Sequence, residues 1–163
     1  MKVRVLVAAA VAAGIALGTS GCNLIQPQAT TKQYTASDGV NATLGNVALR
    51  NLVIISNDGK TGNLVMGAVN TDTPVALHIE YTSAGKLADG HVVLPFSTQS
   101  TLFGTDGHTK VILEGINTEP GSLLKVSFTA GSKSQTVLVP VLTSEQPEYH
   151  GLNPAAVVSV TTH

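Results

Sequence analysis

Val75-Ala76-Leu77-His78-Ile79-Glu80-Tyr81-Thr82 and Leu124-Lys125-Val126-Ser127-Phe128-Thr129-Ala130 decide the fold. In the first stretch Val75, Leu77, Ile79 and Tyr81 share one face, and Ala76, His78, Glu80 and Thr82 share the other. In the second, Leu124, Val126, Phe128 and Ala130 stand opposite Lys125, Ser127 and Thr129. An apolar period of two belongs to a half-buried strand, because successive side chains leave a pleated backbone on opposite sides. Outward from these two lie further β-rich runs: Val40 to Leu44, Val47 to Ser56, Asn63 to Asn70, His91 to Phe96, Thr101 to Phe103, Thr109 to Ile116 and Thr136 to Leu142. Asn57-Asp58-Gly59, Asp72-Thr73-Pro74, Asp89-Gly90, Asp106-Gly107 and Glu119-Pro120-Gly121 punctuate them with residues that supply a positive φ or a proline-fixed corner. Short strands at about ten-residue spacing predict an all-β domain over 38–143, with two antiparallel sheets packed face to face. Pro140 lacks a backbone donor, which predicts that the last strand lies at an edge or carries a bulge.

The two ends have a different character. Lys2 and Arg4 precede a continuous small apolar run from Val5 to Leu17, followed by Thr19-Ser20-Gly21 and Cys22. That order is the one found in secretory signal peptides, predicting that residues 1–21 are removed. The apolar run is shorter than the roughly 20 residues of a stable membrane span, so a permanent anchor has to be covalent. Gly21-Cys22 at the end of such a segment resembles a bacterial lipobox, although Thr19 stands where the box commonly has leucine. The resemblance implies a Cys22 thiol modified with diacylglycerol, palmitate among its acyl chains, and an extracytoplasmic domain held to the cell membrane. Residues 22–37 are polar and without apolar period, as in a flexible tether. Residues 144–163 carry Pro147 and Pro154 and a short apolar patch from Ala155 to Val160, and are expected to form a mostly loose tail, with docking as one more strand as the alternative.

The 163-residue chain has a formal charge of −1. Lys2 and Arg4 lie in the signal segment, so the remainder is more acidic still, which excludes a nucleic-acid binder that must neutralise phosphates. Cys22 is the single cysteine, so the domain stands on its packing without an internal disulfide. No Gly-x-Ser-x-Gly elbow, His-Glu-x-x-His pair or glycine-rich phosphate loop occurs, and a non-catalytic protein is expected. With six aromatic residues and no tryptophan, a stacking platform for sugars or bases is a poor expectation.

Neutral imidazole ligates copper and zinc, which makes the histidines the candidates for metal. His78 shares the polar face of its strand with Glu80, His91 opens a strand after Asp89-Gly90, and His108 follows the Asp106-Gly107 turn. Each is more simply a solvated strand or turn residue, and no cofactor is expected. Met66, flanked by Leu64, Val65 and Val69, is expected as core filling.

Three stretches carry a family resemblance: Leu44-Gly45-Asn46-Val47-Ala48-Leu49-Arg50-Asn51-Leu52-Val53-Ile54, then Leu64-Val65-Met66-Gly67-Ala68-Val69-Asn70, and Gly121 to Val141 ending Val137-Leu138-Val139-Pro140-Val141. Together they resemble the LpqE-type lipoproteins of actinobacteria, which are in turn similar to the periplasmic copper chaperones called PCu(A)C. The resemblance implies an antiparallel β-sandwich of the immunoglobulin or cupredoxin kind. The chaperones hold Cu(I) with two methionines and two histidines, one pair as His-x-Met before a motif resembling Glu114-Gly115-Ile116. Lys110 and Ile112 stand at those positions, moving the register to His108 puts Lys110 in the methionine's place, and the stretch from Ala84 to Pro95 holds only His91. Soft sulfur selects Cu(I), so the resemblance carries the scaffold over without the copper. The expectation is a cell-envelope lipoprotein that binds a protein or small ligand, and, as the alternative, a diverged metal-handling protein using His78, His91 or His108.

Overall fold

A computed structural model describes residues 2–19, 37–83 and 85–154. Lys2–Thr19 is a helix, α1, formed from the apolar run that follows the basic start. Among the described residues no helix is long and apolar enough to cross a membrane. Residues 20–36, with Cys22 and nearly all of the expected tether, lie outside the described residues, as do residues 155–163.

The domain described over residues 37–154 is all-β. Its strands are β1 Val40–Leu44, β2 Val47–Ile55, β3 Thr61–Asn70, β4 Val75–Ser83, β5 Lys86–Leu94, β6 Ser97–Phe103, β7 Ile112–Glu114, β8 Leu123–Ala130 and β9 Lys133–Leu142. One sheet runs β5-β4-β8-β9, and all its pairings are antiparallel. In the other, β2 pairs with β1 and β3, while β6 and β7 share the far side of β3. The sheets join where Ile54 and Ile55 of β2 lie parallel to Val141 and Leu142 of β9, so the sandwich is nearly closed into a barrel. The alternating faces do what their pattern requires: Leu77 and Ile79 of β4, and Val126 and Phe128 of β8, are fully buried in one core with Leu49, Leu52, Ile54, Leu64 and Met66.

The join depends on a bulge in β2. Its register to β3 shifts between Arg50 and Val53, and Asn51 adopts φ 51° there. Asparagine tolerates this left-handed conformation better than most residues. Its Oδ1 accepts the Gly39 N–H at 2.9 Å, and its own N–H donates to Asn41 Oδ1 at 3.0 Å. Beyond the bulge β2 is buried on both faces, Leu52 and Ile54 toward the main core, Val53 and Ile55 toward a second cluster with Val65, Tyr149 and Leu152.

That second cluster corrects the expectation for the C-terminal segment. Residues 144–154 are docked: a 3-10 turn at Pro147–Tyr149 presents Tyr149 and Leu152, each 6% exposed, to the outer face of β2. The Tyr149 hydroxyl donates to Asp38 Oδ2 at 2.8 Å, and Asn63 Nδ2 donates to the Leu152 and Gly104 carbonyls at 2.9 and 2.7 Å. The cause is the consecutive apolar run Leu52-Val53-Ile54-Ile55, which needs cover on two sides. Two other expectations shift. Asp89-Gly90 is the interior of β5, which starts at Lys86; the run expected from Thr109 to Ile116 pairs only over Ile112–Glu114. The edge expected at Pro140 is found: there β9 is paired with β8 alone, and the β8–β9 register has no bulge. The Val141 N–H bonds to Ser122 on the β8 side, so alternation turns the Pro140 nitrogen the other way, where the ladder to β2 begins only at Val141.

Candidate functional site

The β4–β5 connection builds the site. Ser83 pairs with Lys86, so the strands are joined by a two-residue turn in which Gly85 has φ 80°, the positive value that a tight hairpin requires. From that turn the register runs without a break, setting His78 opposite His91 and Glu80 opposite Asp89. Because Leu77, Ile79 and Tyr81 face the core, these four side chains face solvent. The two imidazole centroids are 6.1 Å apart with planes at 37°. On the other flank His78 pairs with Thr129 and Glu80 with Ser127 of β8. The surface therefore carries two exposed imidazoles beside two carboxylates.

Rings on neighbouring strands offer two nitrogen ligands that rotation about the side-chain bonds brings toward one ion, at metal–nitrogen distances of about 2.0–2.1 Å. Among the described residues no group of three or more His, Cys, Asp or Glu is arranged to hold a metal, so any ion here would take its remaining ligands from water. His108 is held elsewhere: in the turn after β6 its Nδ1 lies 3.0 Å from Thr105 Oγ1 and 3.0 Å from the Asp106 carbonyl. Of the three candidate histidines the structure pairs His78 with His91 and leaves His108 to its own turn. The pairing had no signal in the local sequence, where Asp89-Gly90 looked like a corner between strands.

The donor set does not fit Cu(I). Met66 is 1% exposed in the core, and the Lys110 ammonium donates to the Gly104 carbonyl and to Asp106 Oδ1, both at 3.2 Å. A cation thus stands where the resemblance would put a thioether, and among the described residues no sulfur faces the surface there. Cys22, the expected lipid site, lies outside the described residues.

Two clefts of about 450 and 470 Å³ lie beside β5. Ile79, His91, Val93, Phe103 and Lys110 are among the residues lining the first, and Tyr81, Ala88, Asp89, Ile112 and Glu114 line the second. The Tyr81 hydroxyl donates to the Glu114 carbonyl at 3.0 Å, and burial raises its pKa above the ordinary value. Two surface carboxylates are held below their ordinary range: Asp58 chiefly by the N–H groups of Lys60 and Thr61, Asp72 by the Thr73 N–H and then Asn46. Both are turn fasteners: Asp58 holds the backbone of its own turn, and Asp72 divides its oxygens between the Thr73 N–H and the Asn46 side-chain amide.

No family model matches the sequence, and no curated protein matches it. Among solved structures the chain is similar to the apo PmoF2 PCuAC domain, with a TM-score of 0.49 and 17% identity over 66% of this chain and 98% of that one.

Proposed function

We propose that this chain is a lipid-anchored, extracytoplasmic binding module without catalytic activity, of the LpqE lipoprotein kind. The order Lys2 and Arg4, apolar Val5 to Leu17, then Gly21-Cys22 ahead of a folded β-domain carries the proposal. Two or three acyl chains on Cys22, at about 0.8 kcal/mol per buried methylene, hold a domain of this size to its bilayer. The test is metabolic labelling with palmitate in a bacterial host, followed by fractionation. Label on the membrane-bound chain, lost together with membrane retention in Cys22→Ala, supports the anchor; an unlabelled chain released into the medium refutes it.

The His78–His91 pair favours a second function, handling of a divalent ion such as Cu(II) or Zn(II). Titration against a competing chelator is expected to give one ion per chain, lost in His78→Ala and in His91→Ala and kept in His108→Ala. Loss only on changing His108, or no saturable binding, rejects it.

A further inference from the structure

The geometry points to the open seam beside β5 as a receiving groove for an extended peptide of a protein partner, one carrying a lysine or arginine next to apolar residues. This deepens the binding-module proposal and rests on it. The β5 strand is paired on one side only, and β7 is paired only with β3. Leu64 donates to the Val111 carbonyl and Ile116 to the Lys60 carbonyl, so alternation along β7 turns the backbone groups of Ile112 away from β3, toward the seam. The two clefts share Ile112 and lie end to end from Ala88 to Val93, a length of about 20 Å, enough for about six extended residues.

Three features mark β5 as a strand left open for pairing. It is long and regular, with nine consecutive partners on β4 and no bulge to twist its free edge away. Edge strands are ordinarily blunted by bulges, prolines or inward charges; β6, at the opposite end, has a register shift and the polar residues Thr98, Gln99 and Ser100. Second, Gly90 sits in the middle of β5, and a Cβ built there would meet nothing within 4 Å. A glycine that weakens a strand interior and has open space above it leaves the backbone clear for a second backbone. Third, apolar side chains stand exposed along the groove, Val93 at 60% and Ile112 at 41%.

Charge selects the occupant. Asp89 and Glu114 line one end of the groove, with Glu80 opposite Asp89. The only ion pair among the described residues is Lys110 with Asp106, so these three carboxylates have no cationic partner. An extended segment adds main-chain hydrogen bonds to the edge, sets apolar side chains on Val93 and Ile112, and brings its basic residue to the acidic end.

The test uses the mature full chain from Cys22 to His163 without its lipid and the probe peptide Ac-VKVTVKV-amide, with amide chemical-shift mapping and titration. Saturable binding with shifts centred on Gly90, Val92 and Ile112, weakened about tenfold or more in Asp89→Lys and in Glu114→Lys, supports the groove. The same peptide N-methylated at alternate residues keeps its side chains and is expected to lose binding. Equal binding of the N-methylated peptide, shifts elsewhere, or no binding overturns the proposal. So does about tenfold tighter binding by a chain ending at Pro154, which would make the chain's own C-terminal segment the occupant, or concentration-dependent dimerisation through β5, which would make it a second copy. None of these outcomes alters the palmitate result, so failure of the groove and failure of the anchor are distinct.

Discussion

Replacing Leu152 by alanine tests whether the C-terminal segment belongs to the folded domain. Leu152 is 6% exposed and packs in the cluster of Val53, Ile55, Val65 and Tyr149. A buried leucine cut to alanine costs about 2–5 kcal/mol from lost transfer energy and the remaining cavity. This cluster lies on the outside of the sheet beneath a single turn of chain, where the segment settles to fill part of the void, so the loss falls at the lower end, about 2.5 kcal/mol. For a domain of this length that lowers Tm by about 10 °C. Thermal and urea unfolding followed by far-UV circular dichroism reads it directly, with Glu148→Ala as a control on the same turn whose exposed side chain is worth less than about 0.5 kcal/mol. If Leu152→Ala and Glu148→Ala unfold together within about 0.5 kcal/mol, the docking of residues 144–154 is wrong.

Burial, and for Tyr149 also the Asp38 carboxylate, holds the Tyr81 and Tyr149 phenols above their ordinary 10.0. A raised phenol contributes stability that is complete below pH 10 and is lost as pH climbs through the folded values, because the unfolded chain ionises first. The urea midpoint should therefore fall above about pH 10, less steeply in Tyr149→Phe, and a midpoint level to about pH 11.5 counts against both phenols. Gly104 has φ 78°, and a Cβ there would overlap the Leu64 carbonyl, so Gly104→Ala should cost more than about 2 kcal/mol in urea unfolding. A loss below about 0.5 kcal/mol contradicts that geometry. Asn51→Ala loses both the tolerance for φ 51° and the bond from Gly39, about 2 kcal/mol together, whereas Asn51→Gly loses only the bond, about 1 kcal/mol. Equal losses show that the conformation at the bulge is not the constraint.

Where alternation and turn chemistry agree, the sequence is legible. The limits expected for β8, Leu123 and Ala130, are those found, and β4 differs from its expected span by one residue. Asp89-Gly90 is misleading because the two residues most typical of a tight turn sit in mid-strand, while the true corner lies between Ser83 and Lys86. The site was the least legible part: alternation assigns His78 to a face, but only the β4–β5 register sets His91 beside it. Asn51 explains why the face of β2 changes partway along; its role shows only when Gly39 and Asn41 are seen bonded to it. The docked tail has a signal in the unbroken Leu52-Val53-Ile54-Ile55, which no strand with one wet face would carry.

Burial of β2 on both faces has a consequence for the order in which the chain is completed. Synthesis proceeds from the N-terminus, so Val53, Ile55 and Val65 exist for the whole time it takes to make the next eighty or so residues before Tyr149 and Leu152 arrive to cover them. The parallel rung between β2 and β9 waits equally long, since Val141 and Leu142 come only shortly before. A product cut short ahead of residue 149 bears a bare aliphatic strip on its outer surface, the kind of surface by which proteases and chaperones tell unfinished chains from finished ones. The turn at Pro147–Tyr149 thus acts as a seal on the β-domain, closing it only when every strand before it has been made.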